Sequence, residues 1–231
     1  VDNLFEIKTT MIPKFEIIDG QNFISYSTAY LESNQYFFKR IFDILFTIFI
    51  GFLFLPISII VSILIVVDSG FPIFFTQTRG GLNAKRFKIY KFRTMRVGAD
   101  DERASLLERN DLQGIGFKMH NDPRVTNFGN FLRKYSIDEI PQFINVLTGE
   151  MSVVGPRPAV FDEIDRYENW HRKRLSVRPG ITGPWQLTDR LSTDFDERIR
   201  LDLNYIETQS FLKDLIIILR TPVAMIKNKS A

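Results

Sequence analysis

The stretch that most constrains this chain runs from Ile44 to Val67, ILFTIFIGFLFLPISIIVSILIVV, twenty-four residues without a charge. About 20 apolar residues cross the hydrocarbon core of a bilayer, and a buried core helix accounts poorly for a longer run. The stretch reads as a membrane segment. Pro56 stands near its centre. A proline inside a helix removes one backbone hydrogen bond and presses on the preceding turn, so a sharp kink is expected there.

The flanking charges decide how such a helix enters lipid. Lys39 and Arg40 precede it, and Arg79, Lys85, Arg86, Lys88, Lys91, Arg93 and Arg96 follow it. Positive flanks are held on the cytoplasmic side, so both ends are drawn to one face. A helix that enters, bends at Pro56 and returns satisfies both flanks, provided protein or hydroxyls such as those of Ser58 and Ser62 cover the loosened backbone. The expectation is a re-entrant helix. From Ser69 to Ala99 there are seven lysines and arginines and no acid. Such a stretch beside a bilayer fits attraction to anionic membrane lipid or to a phosphate-bearing substrate, and equally a solvated basic face. Nucleic acid is disfavoured, because no recognised binding motif accompanies the charge.

At 231 residues the chain can hold one sizeable core with an attached segment. The absence of cysteine excludes disulfides and thiolate-bound zinc. Two histidines, His120 and His171, make a histidine-rich metal site improbable, and each reads as a surface or hydrogen-bonded residue. The chain begins with valine and without a signal sequence. Residues 1–36 are therefore expected to be the remnant and linker of an upstream region, 37–69 the membrane helix, and 70–231 a catalytic domain on the cytoplasmic face. FPIFFTQTRGGLNAKRFKIYKFRTMR predicts a hairpin turning at Gly-Gly. Asp100 to Gln113, DEIDRYENWHRKRLSV and Asp194 to Thr208 predict helices, RPGITGPWQ a loop, and FLKDLIIILRTPVAMIK an apolar tail suited to the headgroup layer. The fold class is α+β and mostly helical: a membrane-embedded re-entrant helix, a small β-hairpin and amphipathic interfacial helices.

SIDEIPQF, Ser136 to Phe143, sets two acids side by side just before a proline. Acids and proline both suit the first turn of a helix. Asp138 is therefore a candidate N-cap for a helix through FINVL, with Glu139 and Pro141 in its first turn, and Ser136 with Glu139 has the spacing of a capping box.

Several stretches taken together carry a second reading. KRIFDILF, the proline-broken helix, FTQTRGG, FKIYKFRTM, DPRVTNFGNFLRKYSIDEIPQFINVLTGEMSVVGPRP and RPGITGPWQ stand in the order found in bacterial polyprenyl-phosphate sugar-1-phosphate transferases. The chain resembles these monotopic phosphoglycosyl transferases from about Phe38 to its C-terminus. The resemblance implies that Asp138 is a nucleophile toward the sugar-bearing phosphorus of a UDP-sugar, expelling UMP and forming a covalent aspartyl phosphosugar. Undecaprenyl phosphate would then take the phosphosugar, initiating lipid-linked glycan (exopolysaccharide, capsule or O-antigen) at the bacterial inner membrane.

The resemblance also implies Mg²⁺, with Asp138 and Glu139 as its ligands. Such a site suits this chain, because a hard dication held by few carboxylates and phosphate oxygens needs neither histidine nor cysteine. An aspartate at a helix N-terminus is expected to be held ionised there, where free N–H groups can also cradle phosphate. Adjacent helical residues do not face each other, which leaves Glu139 free for the metal or a proton. Arg133 and Arg157 are the candidate phosphate or nucleotide ligands, with Lys91 and Arg93 behind them.

The chain departs from the family pattern in three places. Leu55 rather than serine precedes Pro56, Asp189 stands where glycine is usual in the late Q-x-x-G-R segment, and G-P before the hairpin is stretched to GFP. Two other classes compete. One is a metal-dependent glycosyltransferase using Asp194, Phe195 and Asp196 and releasing UDP, and the other is a scaffold that binds anionic lipid. A homo-oligomer through the N-terminal region stays open.

Overall fold

The computed structural model describes residues 12–18, 21–27, 33–99, 122–187 and 194–227. The chain opens with strands β1 (Ile12–Ile18) and β2 (Gln21–Ser27), paired antiparallel with Ile12 opposite Ser27. Helix α1 (Ser33–Ser69) follows and carries the uncharged run. Leu45, Phe49, Phe52 and Leu55 all lie exposed along its middle, as a lipid-facing surface requires.

Both ends of α1 are fastened to the same body. Near its start, Arg40 donates to the carbonyls of Val146 and Leu147 at 2.6 and 3.0 Å, and the buried Asp43 accepts from the Val153 N–H at 3.1 Å. Near its end, Val61 and Ile65 share a buried cluster with Phe92 and Leu132. Arg93 donates to the Ser69 and Gly70 carbonyls at 2.9 and 2.5 Å. A straight helix would hold Arg40 and Ser69 about 43 Å apart, at 1.5 Å per residue. The return route runs through Val146, Asn145, Tyr90 and Arg93. Both attachments therefore favour a helix that bends between them, and Pro56 stands in that span, where a proline is expected to bend a helix. Ser58 and Ser62 donate to the Phe54 and Ser58 carbonyls at 2.9 and 2.7 Å. Each hydroxyl thus reaches back one turn, the first to Phe54 just before the proline, and neither to Phe52, whose carbonyl Pro56 deprives of its usual donor.

Strands β3 (Phe74–Gly80) and β4 (Arg86–Phe92) form the expected hairpin, with Phe74 opposite Phe92 and Gly80 opposite Arg86. The turn differs from expectation. It occupies Gly81 to Lys85, with Asn83 and Ala84 at positive φ, and Gly80 still belongs to the strand. A Cβ at Gly80 would stand 2.3 Å from Ile164 Cδ1, so its glycine serves close packing rather than turning.

Helices α2 (Asn127–Lys134) and α3 (Gln142–Thr148) come next, then β5 (Ser152–Val154). The single helix expected over DEIDRYENWHRKRLSV is broken into α4 (Phe161–Ile164), α5 (Asn169–Arg172) and a 3₁₀ turn (Lys173–Ser176). The break has a local cause. Glu168 caps α5 reciprocally with His171, while Tyr167 is drawn into a buried cluster with Ile164, Leu175 and Phe195.

RPGITGPWQ is not wholly a loop, since β6 (Gly180–Thr182) pairs parallel with β5. A Cβ at Gly155, Gly180 or Gly183 would meet backbone atoms at 2.6, 2.1 and 2.3 Å respectively. The glycines let two main chains lie against each other, a signal that the proline-rich composition obscured. Helix α6 (Phe195–Glu207) matches expectation, and the tail is α7 (Phe211–Lys227). The main core joins Phe87, Val146, Met151, Val153, Tyr205 and Ile217, so hairpin, α3, β5, α6 and α7 share one interior. The helix expected over Asp100 to Gln113, His120 and Asp189 lie outside the described residues.

Candidate active site

The acid pair is delivered by a broken helical path. Thr126 caps α2 by accepting from the Gly129 N–H at 2.9 Å. A Cβ at Gly129 would stand 2.1 Å from the Thr94 carbonyl, so α2 lies directly on the chain leaving β4. After α2, Ser136 takes φ 53°, a left-handed conformation that turns the chain inward. Ile137–Glu139 then form a 3₁₀ turn, and Pro141, which has no N–H to donate, interrupts the hydrogen-bond ladder before α3 resumes at Gln142. Asp138 is thus not the N-cap of α3, and Ser136 makes no side-chain cap. Pro141 occupies the cap position instead.

Lys91 of β4 meets both acids. Its Nζ lies 2.7 Å from Glu139 Oε1 and 3.7 Å from Asp138 Oδ2, so the two carboxylates share one cation rather than facing apart. The pairing depends on Asn145, which is fully buried. Its Oδ1 accepts from the Tyr90 N–H at 3.1 Å and its Nδ2 donates to the Lys88 carbonyl at 2.7 Å. In effect Asn145 adds a strand-like partner to the edge of β4 and holds α3 in register with Lys91.

Asp138 is buried, and burial pushes its carboxyl above the ordinary carboxylate range. Lys91 opposes that shift, Glu139 reinforces it, and Arg133 opposes it more weakly. The N-terminal dipole expected to keep Asp138 ionised is therefore outweighed by desolvation. The neighbouring cations pull Asp138 back toward the charged form.

A cleft beside the pair is lined by Arg79, Lys91, Glu139, Gln142, Arg157 and Gln186. Arg157 is exposed at its rim, while Arg174, buried beneath, fixes the backbone there. Arg174 donates to the Arg157 carbonyl at 3.0 Å, to Asp202 at 2.7 Å and to Tyr167 Oη at 2.8 Å. Arg133 donates from Nε to Thr94 Oγ1 at 2.9 Å and lies near enough for its charge to act on Asp138. Arg93 sits elsewhere, buried at the C-terminus of α1, where it binds carbonyls that the helix leaves without donors. The sequence reading passed over Asn145, Arg174, Arg79, Gln142 and Gln186. Gln142 and Gln186 stand inside the quoted motifs, and Asn145 carries the signal of a polar residue amid FINVL.

Among the described residues no group of three histidine, cysteine or acidic side chains could hold a metal. Two carboxylates with hard oxygens still suit Mg²⁺, provided substrate phosphates complete the shell. The competing acid triplet is engaged locally: Asp194 accepts from the Phe195 N–H at the start of α6, and Asp196 lies 3.2 Å from the Nε2 of the buried His171.

Comparison with known proteins assigns the chain to a family. A sequence model of the family described as "Bacterial sugar transferase" matches residues 34–228. The chain is 43% identical over 209 residues to the galactosyl transferase CpsE of Streptococcus agalactiae, covering 90% of the chain and 46% of CpsE. It is 38% identical over 187 residues to the exopolysaccharide production protein ExoY of Sinorhizobium fredii, covering 79% of the chain and 83% of ExoY. It is also 37% identical over 199 residues to the undecaprenyl-phosphate galactose phosphotransferase of Salmonella typhimurium, covering 84% of the chain and 42% of that relative. The chain thus spans less than half the length of two of these relatives.

Proposed function

This chain belongs to the bacterial sugar transferase family, and from that premise we propose that it transfers a sugar-1-phosphate from a UDP-sugar to undecaprenyl phosphate. The observation that carries the proposal is the meeting of Asp138 and Glu139 at Lys91, on the edge of a cleft rimmed by Arg157.

A carboxylate oxygen of Asp138 attacks the phosphorus bearing the sugar, and the bond from that phosphorus to UMP breaks, its electron pair leaving with UMP. Undecaprenyl phosphate then attacks the same phosphorus through an oxygen and frees the carboxylate, leaving undecaprenyl diphosphate sugar. Lys91, Arg133 and Arg157 hold the phosphates and offset the charge that grows on them. Asp138 and Glu139, with phosphate oxygens, would hold Mg²⁺, whose contribution is further neutralisation of that charge.

The membrane placement follows the same logic. With α1 bowed and both ends on one body, the apolar middle enters one leaflet of the inner membrane while the cleft stays at its cytoplasmic face. The polyprenyl tail can then remain in lipid as its phosphate reaches Asp138. Such a reaction begins an exopolysaccharide, capsule or O-antigen.

The test is direct. Detergent-solubilised protein with undecaprenyl phosphate, Mg²⁺ and a panel of UDP-sugars should release UMP. Asp138→Asn should abolish turnover while leaving membrane association unchanged. Release of UDP instead would mark glycosyl transfer, and turnover by Asp138→Asn would rule out the covalent route.

A further inference from the structure

Two amide side chains in the cleft take no part in the chemistry above. Gln142 opens α3 directly after Pro141, three residues beyond Glu139, and is 3% exposed. Among the described residues no side chain or backbone group hydrogen-bonds to its amide. Gln186 is 8% exposed, in the 3₁₀ turn Pro184–Leu187 that follows Gly183. Its Nε2 donates to the Ile181 carbonyl at 3.2 Å, which fixes the orientation of the amide, since the oxygen could not make that bond. The remaining atom, Oε1, is buried without a donor. The two amides come from distant parts of the chain and line the same cleft as Lys91, Glu139 and Arg157.

Buried polar groups are nearly always satisfied, and an acceptor left without a donor is costly. The chemistry of this unpaired acceptor restricts what can pair with it. Oε1 of Gln186 needs a hydrogen, and a fully ionised phosphate oxygen has none to give. A polyprenyl tail has no polar group at all. What remains of the reactants is the neutral part of the donor: the hydroxyls of its sugars, each donor and acceptor at once, or the imide N–H of uracil flanked by carbonyls. Amides match such groups and add no charge beside the basic rim, where the diphosphate is held.

We infer that Gln142 and Gln186 form a neutral hydrogen-bonding subsite in the cleft, which takes hydroxyl or imide groups of the sugar nucleotide next to the charged positions that take its diphosphate. This rests on the function proposed above.

The test uses the full chain in detergent with undecaprenyl phosphate and Mg²⁺. The wild type must first release UMP from a UDP-sugar, and failure at that step would count against the proposed function itself. Gln142→Leu and Gln186→Leu should each raise the KM for the donor roughly tenfold or more, with a smaller change in kcat and an unchanged melting midpoint. If sugar hydroxyls are bound, the ratio of kcat/KM between UDP-glucose and UDP-galactose shifts, or a deoxy analogue of the sugar loses a similar factor on the wild type. If uracil is bound, that ratio holds, and N3-methyl-UMP binds the wild type roughly tenfold more weakly than UMP by calorimetry. The analogue arms require no variant to fold. The inference is overturned if folded variants keep wild-type donor KM, or if neither deoxy sugar nor N3-methyl-UMP weakens binding, since the amides would then merely hold a water.

Discussion

At the scale of single residues, the site is governed by a contest between burial and charge at Asp138. Burial raises its pKa and Lys91 lowers it. If Asp138 is the nucleophile, as proposed, it must be ionised, and activity should be lost as pH falls through a pKa lying above the ordinary carboxylate range near 4. The acid limb of the kcat/KM profile is expected there. Removing Lys91 removes the largest opposing influence, so Lys91→Met should move that limb to higher pH and lower the rate at neutrality. A pH series with both proteins checks the sign, and a limb that stays put or moves downward would contradict it. Asn145 is the second case. Asn145→Leu leaves the Tyr90 N–H and the Lys88 carbonyl without their partner, at a cost of about 2 to 3 kcal/mol. The expected outcome is a melting midpoint several degrees lower. The acids, Arg133 and Arg157 stand out in the sequence as candidates because a motif order singles them out. Asn145 does not, because its role depends on two backbone groups 55 and 57 residues away.

Among the elements, those dictated by composition alone emerged as expected, and those dictated by partners did not. Helix α1 could be read from its charge-free length, the hairpin from its turn residues, and α6 from its spacing. The stretch from Ala159 to Ser176 broke into short pieces because Tyr167 is claimed by a distant cluster and Glu168 by a local cap, and helical periodicity does not register such competition. Strand β6 escaped notice because three residues pair with β5 only where glycines admit close main chains. The buried Arg174 ties Tyr167 and Asp202 of α6 to the Arg157 backbone. Arg174→Met leaves Asp202 buried without its cation, and breaking one partner of such a pair costs about 3 to 5 kcal/mol. A lower melting midpoint should come with weaker donor binding, since Arg157 loses its support. A variant that melts lower but keeps donor KM would separate stability from positioning.

Over the whole molecule, the question is which side of the membrane each end of α1 occupies. The chain contains no cysteine, so a single introduced thiol is a unique reporter. Placed in turn at Phe37 and at Val97, both exposed, it should react with a membrane-impermeant maleimide in inside-out vesicles and resist it in intact spheroplasts. Opposite accessibility at the two positions would mean a crossing helix. If α1 dips into one leaflet, as proposed, the consequence reaches beyond this protein. A protein that reaches into a single lipid layer has no route for carrying a charged diphosphate through the oily interior. The glycolipid of the proposed reaction would be left facing the compartment in which it was made, and a separate flippase would have to turn it over before export. Where that flippase fails, loaded carriers would pile up on the inner side and starve every other pathway that draws on the same pool.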